Sequence, residues 1–94
     1  MRRAKIVATL GPAASSYEQI RAIIDAGVDV CRMNLSHGTY AVHEGVYANV
    51  RKAANDSGRA IAVMVDLQGP KIRLGKFEGG PYDLAVDDIF KITT

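Results

Sequence analysis

Tryptophan is absent from this 94-residue sequence, and cysteine occurs once, at Cys31. A lone cysteine forms neither an intrachain disulfide nor a multi-cysteine zinc site. Set in an apolar run, Cys31 reads as a buried, reduced thiol, which points to a cytoplasmic setting. Long hydrophobic runs are lacking too. No apolar stretch approaches the ~20 residues that span a bilayer. The run Lys5 to Leu10 behind the basic start is too short and too interrupted for a signal-peptide core, so no membrane role is expected. Nor does one sign of charge dominate. Lys and Arg number 12 against 10 Asp and Glu, a net +2, which reads as a mixed solvated surface and gives no reason to expect a nucleic-acid partner. Low-complexity segments are missing, and no repeat is visible beyond an alternation of strand and helix.

What is present is the composition of a folded domain: 48% hydrophobic and 23% charged residues, values that argue against disorder. A chain this short buries only about 60–65% of its unfolded surface, so its stability margin is thin. Ile6 to Leu10 reads as a strand stopped by Gly11-Pro12. Ser16 opens a helix, with Gln19 placed three residues on as its capping-box partner. Tyr17, Ile20, Ile23 and Ile24 supply the apolar stripe, and Gly27 suits the helix end. Val28 to Leu35 is a second strand. A second helix runs from about Tyr40 to Ser57 on the stripe Val42, Val46, Val50, Ala53, ending at Gly58. Ala60 to Val65 is a third strand, closed by Asp66.

This order implies parallel strands with right-handed crossovers and both helices on one face. The third strand is apolar on both sides, so its other face also needs cover. Closure into a barrel or further helices of a doubly wound sheet would provide it. The sequence holds no further helix, and we expect it to be a fragment. After Asp66 the pattern changes. Gln68-Gly69-Pro70 is a turn, Lys71 to Phe77 and Ile89 to Thr94 read as strands, and Glu78 to Pro81 as a loop. Such β-structure after the third strand is expected of an insertion in a third βα loop.

Side chains alternate along a strand. Arg32, Asn34 and Ser36 therefore share one face near the end of strand two, with Asp66 and Thr9 at the matching ends of strands three and one. Polar groups at the carboxyl ends of parallel strands mark the usual site of α/β folds. Arg32 offers a planar fork for phosphate or carboxylate. Asn34, Ser36 and Asp66 offer hard oxygens for a cation, and His37 and Arg73 further contacts to a polyphosphate. Taken singly, each has a plainer account: a solvent-facing arginine, an aspartate capping a turn, a loop histidine.

Three blocks, in order, resemble pyruvate kinase of a bacterial, actinobacterial-like kind: Lys5 to Ala13 (KIVATLGPA), Arg32 to Gly38 (RMNLSHG) and Asp66 to Arg73 (DLQGPKIR). The resemblance covers essentially the whole chain. It implies an α/β fold, the first three strands and two helices of a (β/α)8 TIM barrel over residues 1–74, with 75–94 beginning an inserted β-rich lid domain. It implies phosphoryl transfer from phosphoenolpyruvate to ADP, giving pyruvate and ATP in glycolysis, by a cytoplasmic homotetramer. Arg32 would hold the transferring phosphate and be the catalytic residue here. Asn34, Leu35, Ser36, His37 and Arg73 would lie along the nucleotide. Asn34, Ser36, Asp66 and the Leu67 carbonyl would form the monovalent-cation position. The family uses Mg²⁺, whose ligands fall outside this chain, and commonly K⁺. Leu67 and Lys71 replace the Thr and Glu of K⁺-dependent members, and a Lys71 ammonium would stand in for the cation. With the catalytic lysine also missing, the 94 residues alone are expected to be inactive. Two other readings stay open: another phosphate-handling α/β barrel such as a lyase, and a non-enzymatic fragment that docks onto full-length subunits.

Overall fold

The computed structural model describes residues 2–93. Five elements follow one another: β1 (Val7–Leu10), α1 (Tyr17–Asp25), β2 (Val30–Asn34), α2 (Tyr40–Ser57) and β3 (Ala62–Asp66). The strands form one parallel sheet in the order β1-β2-β3. Its register pairs Thr9 with Arg32 and Arg32 with Met64, while Asn34 faces Asp66.

Each helix starts where its capping chemistry dictates. Ser16 takes the Gln19 N–H on its hydroxyl, and the Gln19 side chain returns to the Ser16 backbone N–H, a complete capping box. Thr39 caps α2 through Val42 N–H, and Gly58 ends it in the left-handed region at φ 68°, where a Cβ is strained. Between the helices and the sheet lies the core, built from Ile20, Ile24, Val50 and Ala53 against Leu10, Cys31 and Met33. Both helices thus cover the same face, as the crossover rule requires.

The strands are shorter than the apolar runs that suggest them. Val28 and Ile61 are buried, but strand pairing begins two residues after Val28 and one after Ile61, where the carbonyls of Ile6 and Asp29 accept from Val30 and Ala62. The α2 stripe also differs at its start. Val42 is exposed, and Ala54 joins Val50 and Ala53 in the core.

Residues 67–93 correct a larger expectation. Neither Lys71 to Phe77 nor 89–93 forms a strand, and Thr94 lies outside the described residues. A strand needs a neighbour for its N–H and C=O groups, and neither segment finds one. Ile72 and Ile89 are fully or almost fully exposed. Local order there comes from short turns, such as Gly80 N–H to Phe77 O at 3.3 Å, and from Phe77 packed edge-on against Tyr82 and Phe90. The sheet face away from the helices carries Val7 and Met64, both about half exposed, beside the polar cluster described next.

Candidate functional site

On that open face, at the carboxyl ends of the strands, the β2 side chain of Arg32 reaches both neighbours. Its Nε donates to Asp66 Oδ2 at 3.0 Å, and its Nη2 donates to the same oxygen. Its Nη1 donates to Thr9 Oγ1 at 3.0 Å. The Arg32 side chain is 29% exposed and that of Asp66 45%. A pair this wet adds only about 0–1 kcal/mol to stability. Its consequence is orientation: the guanidinium is pinned across three strands with N–H groups to spare.

Beyond β2 the chain turns sharply. Asn34 Oδ1 accepts from Ser36 N–H at 3.1 Å and Asn34 O from His37 N–H at 3.4 Å, while Leu35 N–H donates to Asp66 O at 3.0 Å. The Leu35 bond ties the Ser36–Gly38 loop to the end of β3. Lys71 Nζ comes back over this loop and donates to Ser36 Oγ at 3.0 Å. His43, in the first turn of α2, meets the His37 carbonyl through Nε2 at 2.6 Å. A carbonyl only accepts, so that nitrogen carries the hydrogen. Beside the loop opens a cleft of about 520 Å³ whose walls include Thr9, Pro12, Met33, Asn34, His37 and His43.

Arg32, Asn34 and Asp66 therefore share one face of the sheet, with Ser36 and Lys71 at its rim. Leu67 follows directly and is 74% exposed. Arg73 is exposed and, among the described residues, forms no ion pair or hydrogen bond that joins it to the cluster. The sequence pattern did not single out His43 or the Thr9 hydroxyl as a partner of Arg32. Thr9 was legible from strand register, His43 only from the loop's return onto α2. Behind Arg32, Cys31 points into the core. Burial pushes its thiol pKa up, which leaves it a poor nucleophile.

Among the described residues no cluster of three or more His, Cys, Asp or Glu is arranged to hold a metal. The oxygens of Asn34, Ser36 and Asp66 have the chemistry for a monovalent cation. Two of them already face cationic side chains, Ser36 through Lys71 and Asp66 through Arg32.

A parallel βαβαβ sheet with an oriented guanidinium and an oxygen-lined rim at its carboxyl edge defines the class: an α/β chain with the opening of a (β/α)8 barrel. The family follows from comparison with known proteins. The model of the pyruvate kinase barrel domain matches residues 1–94. Pyruvate kinase of Mycobacterium intracellulare is 54% identical over 92 residues, covering 98% of this chain and 20% of that protein. Pyruvate kinase of Dictyostelium discoideum is 45% identical over 94 residues, covering 98% and 18%. The crystal structure of Cryptosporidium parvum pyruvate kinase superposes with a TM-score of 0.79 at 37% identity, covering 85% of this chain and 17% of that one. The chain belongs to the pyruvate kinase family, and it spans about a fifth of the length of these relatives.

Proposed function

We propose that this chain is the amino-terminal part of a cytoplasmic pyruvate kinase, which moves a phosphoryl group from phosphoenolpyruvate to ADP in glycolysis. The observation that carries the reading is the Arg32 guanidinium, held by Asp66 and Thr9 on the open face of the sheet. Transfer breaks the bond from phosphorus to the enol oxygen and forms one to a terminal oxygen of ADP, and the enolate released takes a proton to become pyruvate. Little covalent chemistry falls to the protein, so rate comes from positioning and from charge opposite the moving phosphoryl group. Arg32 supplies one fixed positive charge there. The Asn34 to His37 loop and the adjoining cleft receive the nucleotide, with Arg73 reaching its phosphates once the segment after β3 is ordered around substrate. Mg²⁺, when bound through ligands outside this chain, neutralises phosphate charge.

Lys71 replaces the monovalent cation. Its ammonium sits 3.0 Å from Ser36 Oγ, one of the oxygens assigned to that ion, and supplies the same unit charge. Residues 1–74 belong to the barrel and 75–94 begin the inserted lid. The intact enzyme is a homotetramer.

An assay of pyruvate formation from phosphoenolpyruvate and ADP tests the reading. The full-length enzyme carrying this chain turns over, and the 94 residues alone do not. Arg32→Gln in the full-length enzyme lowers kcat by about 10²–10³, the size of effect seen when one preorganised charge or donor is removed from a transition state. Turnover by the isolated chain, or an Arg32→Gln enzyme as fast as the parent, refutes it.

A further inference from the structure

Arg32 is held in an unequal way. Both bonds to Asp66 end on one oxygen, Oδ2, from Nε and Nη2. A bidentate pair uses both carboxylate oxygens and fixes the guanidinium plane. Two donors on a single oxygen make a pivot, about which the plane can swing. The second fixed point is Thr9, whose Oγ1 takes Nη1–H at 3.0 Å from the opposite flank. Thr9 stands directly across the ladder from Arg32 in the β1–β2 register, and its β-branched side chain has few rotamers, so the hydroxyl stays where the strand puts it. Of the five guanidinium N–H groups, Asp66 takes one on Nε and one on Nη2, and Thr9 takes one on Nη1. One donor on each terminal nitrogen remains, a pair suited to two oxygens of a single phosphate.

We propose that Thr9 is a positioning residue, which locks the Arg32 guanidinium against rotation so that its two free N–H groups face the phosphate of the substrate. The proposal rests on the phosphate-binding role given to Arg32 above. Thr9 itself touches no reacting atom. It acts through Arg32, and its removal leaves the charge in place but the fork loose.

The test uses the full-length enzyme with Thr9→Val, which keeps shape and loses the acceptor, Thr9→Ala as a second deletion, and Thr9→Ser, which keeps the hydroxyl. Losing a hydrogen bond to a charged group predicts a fall of about tenfold to a hundredfold in kcat/KM for phosphoenolpyruvate in Thr9→Val and Thr9→Ala. Thr9→Ser recovers most of the loss. Adding Thr9→Val to Arg32→Gln costs little more than Arg32→Gln alone, because the partner is already gone. A parent-like Thr9→Val, a Thr9→Ser as poor as Thr9→Val, or full additivity in the double variant overturns the proposal. If Arg32→Gln is itself harmless, the reading of the site fails. If Arg32→Gln is crippled while Thr9→Val is not, only the positioning role fails.

Discussion

Lys71 and Asp29 show how much a single side chain decides in this chain. Lys71 arrives from outside any strand or helix to place its ammonium on Ser36 Oγ. Reversing its charge leaves Ser36 and the nearby oxygens beside an added carboxylate, an arrangement that calls for a counter-cation. In the full-length enzyme we expect Lys71→Glu to lose activity by more than about tenfold without K⁺, worth about 1.4 kcal/mol, and to regain it when K⁺ is added. The parent is expected to be insensitive to K⁺. Assays in K⁺-free buffer decide it, and a K⁺-dependent parent sinks the substitution argument. Asp29 works at the other end of the sheet. It accepts from Ile6 N–H at 2.8 Å and pairs with Arg2 and Arg59. The Ile6 hydrogen bond first, then the charges of Arg2, Lys5 and Arg59, hold its pKa below the ordinary 3.8. A carboxyl lowered on folding stabilises fully above its ordinary value and loses that contribution as pH falls through the lowered one. Thermal melts of the chain should therefore decline on acidification below the ordinary 3.8, as pH falls through the lowered value. Asp29→Asn keeps an acceptor for Ile6 but cannot titrate, so its acid decline should be shallower. An identical decline in both would remove Asp29 from the account. Period-2 alternation made the company of Arg32, Asn34 and Asp66 readable in advance. The bonds of Lys71 and His43 were not readable, because they depend on loops returning across the fold.

Among the elements, the helices were the most legible. Ser16 and Gln19 announced the start of α1, and the structure completes the box, with the Gln19 Oε1 also receiving Ser15 N–H at 3.2 Å. The helices then clasp each other outside the core. Tyr17 donates to Asp56 at 2.6 Å, Lys52 to the same oxygen at 2.8 Å, and the Lys52 ammonium sits 4.1 Å from the centre of the Tyr17 ring. These bonds are exposed and secondary to the buried contact of Ile20 and Ile24 with Val50 and Ala53. The cap is a better target than the clasp, since its loss leaves an unsatisfied N–H at a helix end. Ser16→Ala should lower the unfolding free energy of the chain by about 1 kcal/mol. Urea titration would show this as an earlier midpoint with an unchanged slope, and a midpoint equal to the parent's would mean α1 is fixed by packing alone. The strands were legible in kind but not in extent. Local pattern shows which residues are apolar, whereas a strand's bounds depend on where its neighbour offers partners. Lys71 to Phe77 fails as a strand for the same reason.

The molecule as a whole is far from spherical. Its radius of gyration is 18.2 Å and its extents are 55 × 30 × 25 Å, whereas a compact domain of this size has a radius of about 13 Å. The excess follows from residues 67–93, which run on without strand or helix and almost wholly exposed, while the core is confined to residues 10–61. Stability cannot be uniform in such a chain, because local opening costs least where few apolar groups are buried and few backbone bonds are shielded. Amide hydrogen exchange on the 94-residue chain should therefore divide it in two. Cys31, Met33 and the buried turns of α1 and α2 are expected to exchange slowest, and residues 67–93 close to the rate of an unstructured peptide. Trypsin should first cut after Lys71, Arg73 or Lys76 and leave the βαβαβ unit resistant. In the full-length enzyme the same segment would meet the rest of the barrel and the lid, and its amides should gain protection. Equal protection of 67–93 and β2 in the isolated chain would mean that the segment carries its own fold, and the strand pattern of Lys71 to Phe77 would then be satisfied without the remainder of the protein.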